Sequence, residues 1–334
     1  MPSIVEQIAK DLNISSASVS RALNDRPGVG AELRERILEK ARELNYTSSV
    51  VARGLAKSQS FGIGFFVREK PGLSAHTDPF YSEILHGVEQ TIARTDYHMT
   101  MATLTADILS DPTQFRFVRE RRVDGLILAG PDIPSEFIMT LLQSEIPIVL
   151  VDNRLEFSTI SCVNADDEGG GYRAARYLLE RGHRHIGVLA GPSQWASNRR
   201  RVVGYLLALQ EAGLELHTIH MQNTTIESGE EGYRQMMKQQ PQITALGAVN
   251  DSMAIGAIRA ARAQGKRIPD DLAVIGFDDI AWAQLNDPPL TTIQIPKRQM
   301  GKEAVNRLIA MLNDPDLSAA EITVTVQLVQ RGSA

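Results

Sequence analysis

Apolar positions along the chain fall into two regimes. Over residues 1–46 they recur every three to four places: Ile4, Ile8 and Leu12, then Val19, Ala22 and Leu23, then Ile37, Leu38, Ala41 and Leu44. That period predicts three short amphipathic helices, at about 3–12, 15–24 and 31–44. Ser3 stands three residues ahead of Glu6, a capping-box spacing, and Asn13 occupies the place where a helix ends on a left-handed residue. From residue 60 the pattern changes. Short apolar runs at 61–67, 98–104, 125–129 and 146–151 alternate with amphipathic stretches near 81–94 and 113–121, which implies a parallel sheet covered by helices. The rhythm restarts at 160–164 and continues through 185–191, 217–222, 245–250 and 272–278, so a second lobe of the same kind follows the first. A run at 290–296, a helix near 299–312 and a last strand at 322–329 are too little for a third lobe and complete the other two, with about three crossovers between them.

The expected organisation is a helical head (1–46), a hinge (47–59) and an α/β body (60–334) of two doubly wound lobes. The first lobe takes 60–160 plus 293–320, the second 161–292 plus 321–334. The hinge is small and polar at its ends with Val51, Ala52, Leu55 and Ala56 at helical spacing. It reads as a plain linker or as a helix too short to stand alone, which forms only when something packs on it.

Charge sharpens this division. The chain of 334 residues carries −5 overall, yet residues 1–60 hold 9 Lys and Arg against 7 Asp and Glu, leaving a net −7 on the remainder. A basic head on an acidic body suits a nucleic-acid-binding unit attached to something else. The second helix exposes Ser15, Ser16, Ser18, Ser20 and Arg21, short groups able to lie against phosphates and base edges, though a solvated serine-rich face has the same composition. No apolar run approaches the roughly 20 residues of a membrane span and no export signal is read, so a cytoplasmic location is expected. The single cysteine, Cys162, excludes internal disulfides and Cys-rich zinc sites and is expected to be a small buried hydrophobe.

Ligands of open parallel sheets bind beyond the carboxyl ends of the strands, so two facing lobes make a cleft. The strand ends supply Asp152 and Arg154, Asn250 and Asp251, and Asp278 and Asp279, with Asp78, Phe80 and Tyr81 ahead of the first body helix. Any one of these acids also reads as a helix N-cap. As a set, carboxylates, an amide and a guanidinium suit a polyhydroxylated ligand, because each buried hydroxyl wants a donor and an acceptor.

Several motifs together resemble the LacI/GalR family of bacterial transcription factors. They are Ser-Val-Ser-Arg-Ala-Leu-Asn at 18–24, Val29, Glu-Arg-Ile-Leu at 35–38 and Leu-Asn-Tyr at 44–46 in the head. The body adds Gly-His-Arg-His-Ile at 182–186, Ala-Gly-Pro at 190–192, Val-Asn-Asp at 249–251 with Gly256, Val-Ile-Gly-Phe-Asp-Asp at 274–279 and Pro-Leu-Thr-Thr-Ile at 289–293. The resemblance implies a helix-turn-helix head, periplasmic-binding-protein-like lobes and a repressor acting as a homodimer on double-stranded operator DNA. It implies that Ser16, Ala17 and Arg21 read bases, that Ser18 and Ser20 meet phosphates, with Ser15 and Asn24 beside them, and that Arg53 and the wedge Leu55 act from the hinge in the minor groove. Gly54 departs from a good hinge helix at a cost of about 0.5–1 kcal/mol. In the cleft it implies that Arg201, selected by its spacing to Gly204, holds an effector with Asn250, Asp278 and Asp152. That effector is a mono- or disaccharide in most members and a purine in some. The aromatic ring expected near 226–228 is missing. Glu227 is expected to supply hydroxyl contacts instead, and Phe80, Tyr81 or Trp282 the stacking surface.

Two rivals remain. An enzyme would need a signature, and the sequence has no phosphate loop, His-Glu-x-x-His, Gly-x-Ser-x-Gly or Gly-x-Gly-x-x-Gly after its first strand, so no catalytic residue, cofactor or metal is expected. A sugar-binding protein with a vestigial head is opposed by the missing export signal. The chain ends without a heptad tail, so a dimer rather than a tail-tethered tetramer is expected.

Overall fold

The computed structural model describes residues 4–23, 27–44, 59–69, 74–156 and 159–334. Ser3, Asn24, Asn45 and the hinge residues Arg53, Gly54 and Leu55 lie outside them.

The head has helices at Ile4–Asp11, Ser16–Leu23 and Ala31–Glu43. Ile8, Ala9, Val19, Ala22, Ile37 and Ala41 close on one another as its core. Asn13 takes φ 54°, the left-handed turn its position predicts, and the Ser15 hydroxyl accepts from the Ser18 amide at 3.1 Å, capping the second helix. Ile4, expected on the buried stripe, is 38% exposed.

Among the described body residues there are two six-stranded sheets. The first contains β1 (Gly62–Arg68), β2 (His98–Leu104), β3 (Gly125–Ala129), β4 (Ile148–Val151) and β5 (Ser161–Ala165). The second contains β6 (Ile186–Ala190), β7 (His217–His220), β8 (Ala245–Ala248), β9 (Ala273–Asp278) and β10 (Thr291–Gln294). β11 (Glu321–Val324) then joins the first sheet and β12 (Gln327–Val329) the second, giving the orders β11-β5-β4-β3-β1-β2 and β12-β10-β9-β8-β6-β7. All pairings are parallel except β12 on β10. Central strands such as Gly-Leu-Ile-Leu-Ala and Ile-Val-Leu-Val are buried throughout, because both faces are covered, whereas the edges His-Met-Thr-Met-Ala-Thr-Leu and Glu-Ile-Thr-Val mix polar with apolar positions.

Three expectations change. The strand near residue 160 does not open the second lobe: β5 lies beside β4, register Leu150 to Cys162, and belongs to the first sheet. The run at 290–296 belongs to the second sheet and β11 to the first, so the lobe boundaries at 161, 293 and 321 all move. The tail strand at 322–329 is two strands in different sheets, parted by Thr325 and Val326. The three crossovers remain, after β5, β10 and β11. The helix expected at 113–121 is broken into Ala106–Ser110, a 3₁₀ turn at Pro112–Gln114 and Arg116–Arg119, because the Asp111 carboxylate caps the turn and Phe115 must reach the core.

Facing helices cross at reciprocal glycines. A Cβ on Gly171 of the Asp167–Glu180 helix would lie 2.1 Å from the Arg201 carbonyl oxygen, and one on Gly204 of the Ala196–Glu211 helix 2.1 Å from that of Glu168. The same device recurs at Gly87 with Gly301 and at Gly229 with Gly256. The crossing matters because it sets the depth of Arg201. Gly204→Ala should force this helix pair apart and cost about 1–3 kcal/mol, read as a melting temperature several degrees lower; unchanged melting would show that the crossing is not tight.

Candidate effector cleft and DNA-reading face

The carboxyl ends of the strands bring together residues from distant parts of the chain. Arg201 reaches inward from the first half of its helix and is 4% exposed. Its Nε donates to Asp167 Oδ1 at 2.8 Å, and its Nη1 donates to the Val249 carbonyl at 2.5 Å and to Asp278 Oδ1 at 3.1 Å. The guanidinium carbon lies 4.0 Å above the Phe277 ring. Burial opposes its charge, but Asp167, Asp278 and Asp152 outweigh that and hold Arg201 protonated. Asp152, at the end of β4, accepts from the Tyr81 hydroxyl at 3.0 Å. Burial, reinforced by Asp167 and Asp278 against the pull of Arg201, pushes the Asp152 carboxyl up to about 7. Burial raises Asp278 and Asp167 as well.

Three of the strand-end acids sit at positive φ: Asp152 at 52°, Asp278 at 112° and Asp279 at 55°. Such a conformation costs a side-chain-bearing residue about 1–3 kcal/mol and persists where surrounding contacts over-determine it. For Asp278 and Asp279 Lys297 supplies that hold, donating from Nζ to their carbonyls at 2.5 Å and 2.9 Å. Burial lowers the Lys297 pKa, and the neighbouring acids draw it back.

The remaining candidates divide. Asp78 Oδ1 accepts from the amides of Phe80 and Tyr81 at 2.9 and 3.1 Å, and Phe80 packs edge-on against Tyr81 at 5.1 Å, so both aim Tyr81. Asn250 caps the Asp251–Ala263 helix at Met253 N and donates to the Thr224 carbonyl, which occupies both ends of its amide. Asp251 is a buried strut between Thr292 Oγ1 and Ile280 N, and Arg154 pairs with Glu321. Glu227 is exposed in the first turn of its helix, and Trp282 is 39% exposed on Ala281–Leu285; neither is among the hydrogen-bond, ion-pair or ring partners of Arg201 in the described residues. Sequence reasoning missed Asp167, Lys297 and Asn198. Asn198 lies one turn before Arg201, is 5% exposed, and its Nδ2 has no hydrogen-bond partner among the described residues. A Cβ on Gly191, at the end of β6, would lie 2.4 Å from that nitrogen. The strand-end rule reaches Asp167 once β5 is placed in the first sheet.

In the head, Ser16, Ala17, Ser20 and Arg21 are exposed on one face of the second helix, opposite buried Val19 and Ala22. Ser18 is half-buried and held to Ser15. Among the described residues no group of His, Cys, Asp or Glu is arranged to hold a metal, and no helix is long and apolar enough to cross a membrane.

Two family models match this architecture. One, periplasmic binding proteins and sugar binding domain of LacI family, spans residues 62–332; the other, bacterial regulatory proteins, lacI family, spans residues 5–49. The chain belongs to the LacI family. Among its relatives is a probable HTH-type transcriptional repressor, ExuR, of Bacillus subtilis (strain 168), 32% identical over 98% of this chain and 97% of that protein. Similar solved structures include the Lac repressor dimer bound to operator and the anti-inducer ONPF, with TM-score 0.79 and 26% identity over 100% and 99% of the two chains. A transcriptional regulator CelR–cellobiose complex follows, with TM-score 0.75 and 26% identity over the whole of both chains. As a LacI-family member the chain is a DNA-binding transcriptional regulator.

The raised Asp152 carboxyl gives a pH signature. Its folded pKa of about 7 exceeds an unfolded value near 3.9, so the folded state binds the extra proton between those limits, and its contribution to stability is full below about pH 4 and lost as pH rises through 7. Thermal unfolding of Asp152→Asn against the parent should therefore show a difference that shifts in favour of the variant from pH 4 to 7. A difference constant with pH would contradict this assignment.

Proposed function

We propose that the chain is a dimeric transcriptional repressor whose operator affinity is switched by a neutral polyhydroxylated effector, a mono- or disaccharide, bound between the two lobes. The observation that carries the reading is the balance of charge at the cleft floor. Three buried carboxylates, Asp152, Asp167 and Asp278, surround one guanidinium, Arg201. That excess of acceptors over the two buried cations, Arg201 and Lys297, suits ligand hydroxyl donors and disfavours an anionic effector.

In this reading Asp278 and Asp152 accept hydrogen bonds from ligand hydroxyls, Arg201 donates to ring or hydroxyl oxygen, and Asn198 Nδ2, buried with no hydrogen-bond partner among the described residues, gives a further donor. Tyr81, steadied by Asp78 and Phe80, supplies an apolar wall, and Asn250 orders the helix end beside it. Trp282 and Glu227 lie farther out and act only in the liganded state. In this reading the DNA-reading face, Ser16, Ala17, Ser20 and Arg21, belongs to a unit separate from the cleft. An effector then acts by preferring one arrangement of the lobes, and its differential affinity sets the size of the switch.

The test is an anisotropy titration of the full chain on a labelled fragment of its own upstream region, with neutral sugars, uronates and purines added at fixed salt. A neutral sugar should change the apparent affinity, and Asp278→Asn should abolish that response while leaving DNA binding in place. A response confined to a uronate or a purine overturns the neutral-sugar reading. Arg201→Ala is a poorer probe than Asp278→Asn, because it leaves both Asp167 and Asp278 buried without their cation at about 3–5 kcal/mol of fold stability, whereas Asp278→Asn leaves Arg201 paired with Asp167.

A further inference from the structure

The acidic body carries an exposed, concentrated basic segment in its first lobe. Residues 116–122, Arg-Phe-Val-Arg-Glu-Arg-Arg, hold four arginines and one acid, a net +3 within a body of net −7. Arg116, Arg119 and Arg122 converge on Glu120: Nε of Arg116 at 3.0 Å, Nη2 of Arg119 at 3.2 Å and Nε of Arg122 at 2.8 Å. Those hydrogen bonds hold the Glu120 carboxylate at about 2, so it is ionised at neutral pH and one negative charge fixes three guanidinium groups together. The side chains of Arg116, Arg119 and Arg122 stay 63%, 50% and 47% exposed. Arg121 is also exposed.

Place decides what this cluster serves. It lies at the amino ends of the first sheet's strands, opposite the cleft, against the point where the chain comes in from the head. Asp124 N donates to the Gly62 carbonyl at 2.7 Å, and Asp124 Oδ1 accepts from Ser60 N at 2.7 Å and Ser60 Oγ at 2.9 Å. A Cβ on Gly62 would lie 2.9 Å from the Arg122 carbonyl oxygen. Asp124, the next acid along the chain, is thus turned into Ser60. Residues 45–58 join the head to the body, so the end of the head lies within about 50 Å of this corner even on a fully extended chain. Arginine forks match phosphate oxygens, and a net positive cluster on an otherwise acidic body is the part of the body that a polyanion tolerates.

We propose that Arg116, Arg119, Arg121 and Arg122 form a second, sequence-independent contact to duplex phosphates, made by the body beside the site the head reads. The test uses the full chain and a mixed-sequence duplex, with affinity followed against salt. Replacing the four arginines by glutamine should weaken low-salt binding about tenfold and make the slope of log K against log salt shallower by roughly 0.9 for each phosphate that the body no longer neutralises. Glu120→Gln, which removes the one countercharge, should move both quantities the opposite way, and it reports even if the fourfold variant folds poorly. Unchanged slopes in both variants overturn the proposal. A fourfold variant that loses self-association while its slope stays that of the parent also overturns it, and makes the cluster a contact between protomers.

Discussion

A guanidinium buried in a protein must be compensated atom by atom, and the body is arranged around doing so for Arg201. Its donors go to Asp167 at the start of one helix, to the carbonyl after β8 and to Asp278 at the end of β9, while Phe277 covers its face. Breaking such a pair leaves an uncompensated charge in low dielectric, so these elements are tied to one another more strongly than apolar contact alone provides. The glycines at 171 and 204 let the two helices close enough for the side chain to reach. In the proposed reading the same atoms meet the effector. A ligand that shares Asp278 therefore alters a joint of the fold as it binds.

That joint stands where the chain changes lobes. The Asp166 amide donates to the Val324 carbonyl, linking the first and third crossovers, and Lys297, just past the second, holds the carbonyls of Asp278 and Asp279. Across the cleft mouth Arg199 pairs with Glu156, an exposed contact of small energetic weight. The buried connections set where the lobes pivot, and the exposed one is free to break and re-form.

Much of this is legible in the sequence, for reasons that differ by element. The head shows through because Val19 and Ala22 have helical spacing and Asn13 favours the left-handed turn it makes. Arg201 and Asp278 are reachable from motif spacing, and Asp152 from the strand-end rule. Sheet membership is not: Ser-Cys-Val-Asn-Ala of β5 looks the same in either lobe, since a central parallel strand is buried on both faces wherever it sits. Thr325 and Val326 carry no turn residue to announce that the tail changes sheets. Asn250 and Asp78 show another ambiguity, where a polar residue ahead of a helix commits its side chain to capping and the sequence does not separate that role from ligand contact. Asn198 is invisible in the sequence because its significance is a missing partner, which shows only in the folded chain.

The central claim is that a small polyhydroxylated molecule is held at the floor of the cleft by the acids around Arg201. A crystal structure of the full chain grown with the compound that alters its DNA affinity tests it most directly. The account predicts density between the carboxyl ends of the two sheets, with ligand hydroxyls within hydrogen-bond distance of Asp278 and Asp152 and a ligand oxygen on Asn198. Density for that compound on another surface, with the Arg201 cluster unchanged and the cleft empty, would contradict it.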